Sequence, residues 1–191
     1  MPTPLRKQRQ SRESTAEKLL QAAAQEFNEQ GFGGTDTNRI ARRAGFAPQT
    51  FYRWYRDKVD IFIKTYERWA REEFAALSRL MAASASDIDL ARAIVAHHEA
   101  YLVFRRSLRL LSLENAAVRA ARARSRLNQI EYVKKLGPNA VRDDAAVAAM
   151  LLQTERLADA LAENEFHDMG LHRKAGEEAL ARLIHDLRHP G

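Results

Sequence analysis

Five side chains within ten residues, Gln49, Thr50, Tyr52, Arg53 and Lys58, are hydrogen-bond donors of the types that bind polyanions. Such groups reach phosphate oxygens, and glutamine or arginine can also form paired hydrogen bonds to base edges. Around them stand Ile40, Phe46 and Phe51 as an apolar anchor, Ala41 where two helices must cross closely, and Gly45 where the chain must turn. The segment from Asn38 to Lys58 thereby meets the demands of a helix-turn-helix, in which one helix braces and the next presents its side chains to a groove. A generic three-helix bundle with a solvated basic face is the plainer alternative.

Other groupings offer less. Gly31-Phe-Gly-Gly34 resembles a phosphate-cradling loop only in composition, because it follows a helical pattern and lacks nucleotide-fingerprint spacing. His97-His98-Glu99, and His185 one helical turn from His189, provide pairs of metal donors without a third ligand. No Ser-His-Asp or paired-carboxylate arrangement has a recognisable context, so the residues argue against an enzyme. Arg119, Arg122 and Arg126 form a basic stripe that suits either an anionic ligand or plain solvation. No cofactor or metal is expected.

The elements that must position these groups read as helices throughout. Ser14 and Glu17 fit a capping box, predicting a first helix over Thr15–Gln30 that Gly31 and Phe32 terminate. Asp36 then caps a helix over Thr37–Ala44, and Pro48 opens another that continues through Thr50–Tyr55. Asp57 caps a long helix running from Lys58 to about Met81, with Ile61, Phe62, Thr65, Tyr66, Trp69 and Phe74 at helical spacing. Further helices are predicted over 88–105, 107–115, 117–136, 143–168 and 172–188, with Gly137-Pro138-Asn139 and Met169-Gly170 as the clearest breaks. No sustained period-two alternation points to strands, so the fold class is all-α.

Composition sets the outer limits. The 191 residues are 46% hydrophobic and 29% charged, enough for a sizeable core, and the absence of cysteine excludes disulfides and thiolate metal sites. No apolar run reaches the roughly 18 to 20 residues of a membrane span, so the expectation is a chain that is neither exported nor membrane-bound, in the cytoplasm. Residues 1–65 hold 12 Lys+Arg against 7 Asp+Glu, nearly all of the net +6. Localised charge of this kind suits a polyanion. Arg6, Lys7, Arg9 and Arg12 precede the first acid, Glu13, and form a basic arm able to follow phosphates or remain solvated.

Over roughly residues 14–62 the sequence resembles the TetR family of bacterial repressors, through Phe27, Gly31-Phe32, Thr35, Ile40-Ala41, Ala44-Gly45, Thr50-Phe51-Tyr52, Tyr55 and Lys58. Behind the basic arm over 1–13, the resemblance implies a DNA-binding head over 14–60 and a helical regulatory and dimerisation domain over 61–191. It implies that Tyr52 and Lys58 contact phosphates, that Thr37 and Thr50 support backbone contacts, and that Gln49 and Arg53 face bases. Trp69, His98, Tyr101, Phe104 and Arg105 fall where that family lines an effector cavity, although aromatic residues at helical spacing also suit a core. Ala47, Thr37 and Trp54 depart from the family pattern, the first losing a helix cap worth about 1 kcal/mol.

Val147, Met150, Leu151, Thr154, Leu157, Ala158 and Leu161 form one apolar stripe, and Leu180, Leu183, Ile184 and Leu187 another. Two such helices can meet their symmetry mates, which makes Leu151, Leu157, Leu161, Leu180, Leu183 and Leu187 the expected homodimer contacts. Burial of each stripe inside one chain is the alternative. The functional expectation is a repressor of double-stranded DNA released from a palindromic operator by a small-molecule effector of unspecified identity. The alternatives are a constitutive DNA binder whose body docks a protein, and an enzyme with a catalytic pocket in the helical body.

Overall fold

The computed structural model describes the backbone of residues 4–135 and 143–189, and side chains within that span from Thr15 onward. The expected break at Gly137-Pro138-Asn139 and the side chains of Arg6, Lys7, Arg9 and Arg12 lie outside the described residues. Among the described residues there are ten helices and no strand: α1 (Pro4–Gln30), α2 (Thr37–Arg43), α3 (Pro48–Phe51), α4 (Lys58–Ala82) and α5 (Asp87–Ala100) come first. They are followed by α6 (Leu102–Glu114), α7 (Ala116–Lys134), α8 (Asp144–Ala162), α9 (Glu165–Asp168) and α10 (Arg173–Arg188).

The chain divides into two compact units, one of Met1–Trp69 with Val103–Val118, the other of Ala70–Leu102 with Arg119–Gly191. The first unit is built on α1 to α3, the first half of α4, and α6. Phe27, Ile40, Ala41, Phe51, Ile61 and Phe62 are fully buried there. The Phe27 and Phe62 rings meet edge to face at 5.0 Å, and Phe104 of α6 lies 4.9 Å from Phe62, so α6 contributes to this core. Ser107 of α6 also accepts the Phe32 amide at 2.9 Å.

In the second unit Leu90, Ala91, Val95, Ala158, Leu161, Leu180 and Ile184 pack α5, α8 and α10 together. Ile130, Val133, Val147 and Leu187 join α7 to α8 and α10 in a second cluster. Charged residues brace the same helices. Arg122 and Arg126 both bind Glu155, Arg173 reaches Glu99 and Glu177, and Asp87 receives His185 and Arg188. Burial pushes the Asp87 carboxyl upward, but its bonds from His185 and Arg188 outweigh this and hold it below the usual range.

Helix boundaries differ from the sequence expectation in four regions, and the expected 107–115 helix begins at Leu102. The first helix begins at Pro4 rather than Thr15, so Ser14 lies inside it instead of capping it. Between Pro4 and Ser14 no glycine or second proline interrupts, and proline itself suits a helix start. The expected 88–105 helix stops at Ala100, because Tyr101 adopts φ −123 and ψ 29 before α6 begins. The expected 143–168 helix breaks at Asn164, whose φ of 61 places it in the left-handed region that asparagine tolerates. The expected Thr50–Tyr55 helix survives only to Phe51, and Tyr52 to Trp54 continue as hydrogen-bonded turns.

Candidate nucleic-acid interface

The α2 and α3 segment is assembled by local chemistry. Asp36 caps α2 by accepting the Arg39 amide at 2.8 Å, as its position predicts. Gly45, with φ 80, makes the turn that follows, and the Phe46 amide closes it on the Ala41 carbonyl at 2.9 Å. Pro48 occupies the first turn of α3, whose N-cap residue Ala47 forms no side-chain cap bond. Phe51 then anchors the segment in the core, and Tyr55 ties it to α1 by donating its hydroxyl to the Ala16 carbonyl at 3.0 Å. Burial is the main cause raising the Tyr55 phenol to about 12.

Gln49, Tyr52 and Arg53 stand exposed on this segment, while Thr37 and Thr50 are half-buried. Tyr52 is 60% exposed, large for an aromatic ring. The Thr37 and Tyr52 hydroxyls are 3.0 Å apart and joined by a hydrogen bond in which either can donate. The N-terminal end of α2 is thereby tied to the turn after α3. A tyrosine held in this way can still present its hydroxyl to a phosphate oxygen. Glutamine and arginine four residues apart, both exposed, can address neighbouring base edges.

Lys58 is placed differently from the other donors. Its ammonium donates to the Phe32 carbonyl at 2.8 Å and the Thr35 carbonyl at 2.9 Å, and lies 4.2 Å from the centre of the Phe32 ring. Burial lowers its pKa, an effect that Asp36 partly offsets.

The residue that sequence reasoning missed is Glu26. It is 3% exposed, accepts the Thr35 hydroxyl at 2.6 Å and pairs with Arg43 at 2.8 Å, fixing α2 against α1. Arg43 also forms a two-pronged pair with Glu29, whose hydrogen bond is the main cause raising the Arg43 pKa and lowering that of Glu29. The signal was present, since Glu26 falls beside Phe27 on the apolar face defined by Leu19, Leu20 and Ala23.

The remaining candidates separate. Trp69, Phe104 and Arg105 are buried together in the first unit, with the Arg105 guanidinium 4.8 Å above the Trp69 ring. In the second unit His98 is 3% exposed, with Nδ1 3.0 Å from Asp159 and Nε2 3.2 Å from Glu73. Tyr101 packs on His97 at 5.1 Å. Of the expected dimer contacts, Leu161, Leu180 and Leu187 lie in cores of the chain itself, Leu151 and Leu157 are half-buried and pack against those cores, and Leu183 is half-buried. Arg122 and Arg126 of the basic stripe bind Glu155. The His185 and His189 rings pack at 4.8 Å, and among the described residues no group of three His, Cys, Asp or Glu is arranged to hold a metal ion. No helix among the described residues is long and apolar enough to cross a membrane.

A capped bracing helix, a glycine turn and a short helix with outward donors define a helix-turn-helix protein of the all-helical class. Residues 19–65 match the family described as bacterial regulatory proteins, tetR family, which identifies this segment as a TetR-type DNA-binding head. No curated protein matches the chain. Among solved structures it resembles a Rhodococcus sp. protein assigned to the same family, with TM-score 0.68, 15% identity and coverage of 93% of this chain and 100% of that one. It also resembles the fatty acid degradation regulator FadR from Bacillus halodurans, with TM-score 0.60 and 16% identity over 88% of this chain and 93% of that one. A Saccharomonospora viridis protein assigned as a transcriptional regulator, in complex with choline, gives TM-score 0.61 and 16% identity over 89% and 95% of the respective chains. These likenesses establish a shared fold.

Proposed function

We propose that the chain is a repressor that grips a palindromic operator as a homodimer and is released by a small-molecule effector bound to its helical body. The observation that carries the DNA part is the hydrogen bond between Thr37 and Tyr52, with Gln49 and Arg53 exposed beside it. Tyr52, supported by Thr37 and Thr50, engages phosphate, while Gln49 and Arg53 read bases. The head spans 14–60, the body 61–191, and the arm before them adds sequence-independent affinity through its basic residues.

The effector part draws on the likeness to a choline complex and on the gathered side chains Trp69, Phe104 and Arg105. A cation already sits over the Trp69 ring, so a ligand displacing or engaging Arg105 would act at the middle of α4. His98 already has a carboxylate facing each ring nitrogen and is assigned to bracing. The dimer forms through α8 and α10, where Leu183 is half-buried and Leu152 is 55% exposed, while Leu151 and Leu157 are half-buried against cores of the chain.

Selection of bound fragments from genomic DNA tests this reading. It expects inverted repeats with half-site centres about 34–36 Å apart or a multiple of that, occupied by a dimer in sedimentation experiments. Substrates or products of the enzymes encoded by neighbouring genes should weaken binding with a coupling of about 1–3 kcal/mol. Recovery of fragments without a shared site would overturn it.

A further inference from the structure

We infer that Glu26 is a positioning residue that sets the register of α2 against α1 and, on the reading of the head as a DNA binder, gives Gln49 and Arg53 their selectivity between sequences. With seven residues α2 is too short to hold itself as a helix, so its neighbours must fix it. Ile40 and Ala41 are fully buried and supply the apolar contact. Such contact is non-directional, and by itself it leaves a short helix free to turn or slide. Hydrogen bonds are directional, and Glu26 gathers them from both ends of α2.

One oxygen of this buried carboxylate accepts the Thr35 hydroxyl at 2.6 Å, just ahead of the cap residue Asp36, and lies 3.5 Å from Arg39 Nε in the first turn. The other pairs with Arg43 Nε in the last turn at 2.8 Å. Arg39 and Arg43 are four residues apart, on one face of α2, and side chains on a helix lean back toward its start. One group thus holds the approach to α2, its first turn and its last. Turning or sliding the helix would break bonds to a charge that has no water to replace them. The helix so fixed begins with Thr37, whose hydroxyl is bonded to Tyr52 after α3. A displaced α2 would carry Tyr52 with it and shift Gln49 and Arg53 against the bases. Stability alone does not call for a carboxylate here: a leucine would extend the apolar face of Leu19, Leu20, Ala23 and Phe27, Arg43 would keep Glu29, and exchanging a buried ion pair for apolar packing is often neutral.

Two measurements on the full chain test this, and only the second rests on the head being a DNA binder. In free Glu26→Leu, amide exchange over residues 37–43 should quicken about tenfold relative to α4, matching the loss of one charged hydrogen bond. Unchanged exchange in α2 overturns the inference. In competition titrations of the same variant, the ratio of affinity for a selected operator duplex to affinity for an unrelated duplex should fall about tenfold, the size of one mismatched base pair. A role confined to stability would lower both affinities by one factor and leave the ratio alone. An unchanged ratio, whether both affinities fall together or neither falls, therefore overturns the positioning role. Arg43→Met removes one handle at a side chain that is 29% exposed, and should lower the ratio about threefold in the same direction. It takes the place of Glu26→Leu in both measurements if that variant does not fold. Failure of the parent chain to bind any duplex would remove the DNA reading and the selectivity role with it, while exchange in α2 would still decide whether Glu26 sets the helix.

Discussion

In the first unit Gln49, Tyr52 and Arg53 stand exposed beside a core of packed aromatic rings, whereas in the second Arg122, Arg126, Arg173 and Arg188 each bind a carboxylate on another helix. The first unit turns few charges inward, among them Glu26, Arg43, Lys58 and Arg105. The second uses charge as cross-bracing between α4, α5, α7, α8 and α10. Charge type alone therefore does not mark a binding surface. The outward donors of the first unit are available to a partner because hydrophobic contacts and a few buried polar links already fix their helices.

Substitutions can break or sharpen this contrast. The largest effect is expected for Phe62→Ala, which removes a fully buried ring facing Phe27, Phe32 and Phe104 and should cost about 4 kcal/mol in denaturant unfolding. In the second unit the corresponding loss should come from a polar group. His98→Leu removes a buried imidazole that faces the buried Asp159 carboxylate and the partly exposed Glu73 carboxylate, and should cost about 3 kcal/mol. A neutral result there would mean that packing, not charge, braces the second unit.

The contrast in legibility has the same physical origin. The helix-turn-helix could be read because its requirements are local: Asp36 as a cap, Gly45 at a turn, Pro48 at a helix start, and apolar residues at fixed offsets. The break at Tyr101 carries no such signal, since neither proline nor glycine stands there. Asn164 did carry one, as a residue that tolerates the left-handed region, yet the apolar pattern of α8 runs smoothly up to it. Leu161, Leu180 and Leu187 show a further limit: a stripe on a helix says that something covers it, and only the fold says that α5 and α7 take part. Lys58 was placed correctly on α4 but its direction depended on carbonyls more than twenty residues earlier.

Smaller effects probe the first unit more finely. Tyr55 is raised to about 12, so the fold favours the neutral phenol. Its contribution is fully present below the ordinary value of 10.0 and is lost as the pH rises through about 12. Tyr55→Phe should cost about 1 kcal/mol at neutral pH through the lost bond to Ala16, and should flatten the fall in stability between pH 10 and 12 in urea melts. Smaller still, Ala47→Ser should add the missing cap of α3 and stabilise the protein by up to about 1 kcal/mol, seen as slower amide exchange at Gln49 and Thr50.

The central claim is that the exposed donors after Pro48 read DNA sequence. Its most direct test is a competition titration of the parent chain and of Gln49→Ala and Arg53→Ala against operator duplexes substituted one base pair at a time. The account predicts that each variant loses about 1–3 kcal/mol of discrimination at one or two positions per half-site while non-specific binding persists. Base preferences identical to the parent in both variants would contradict it.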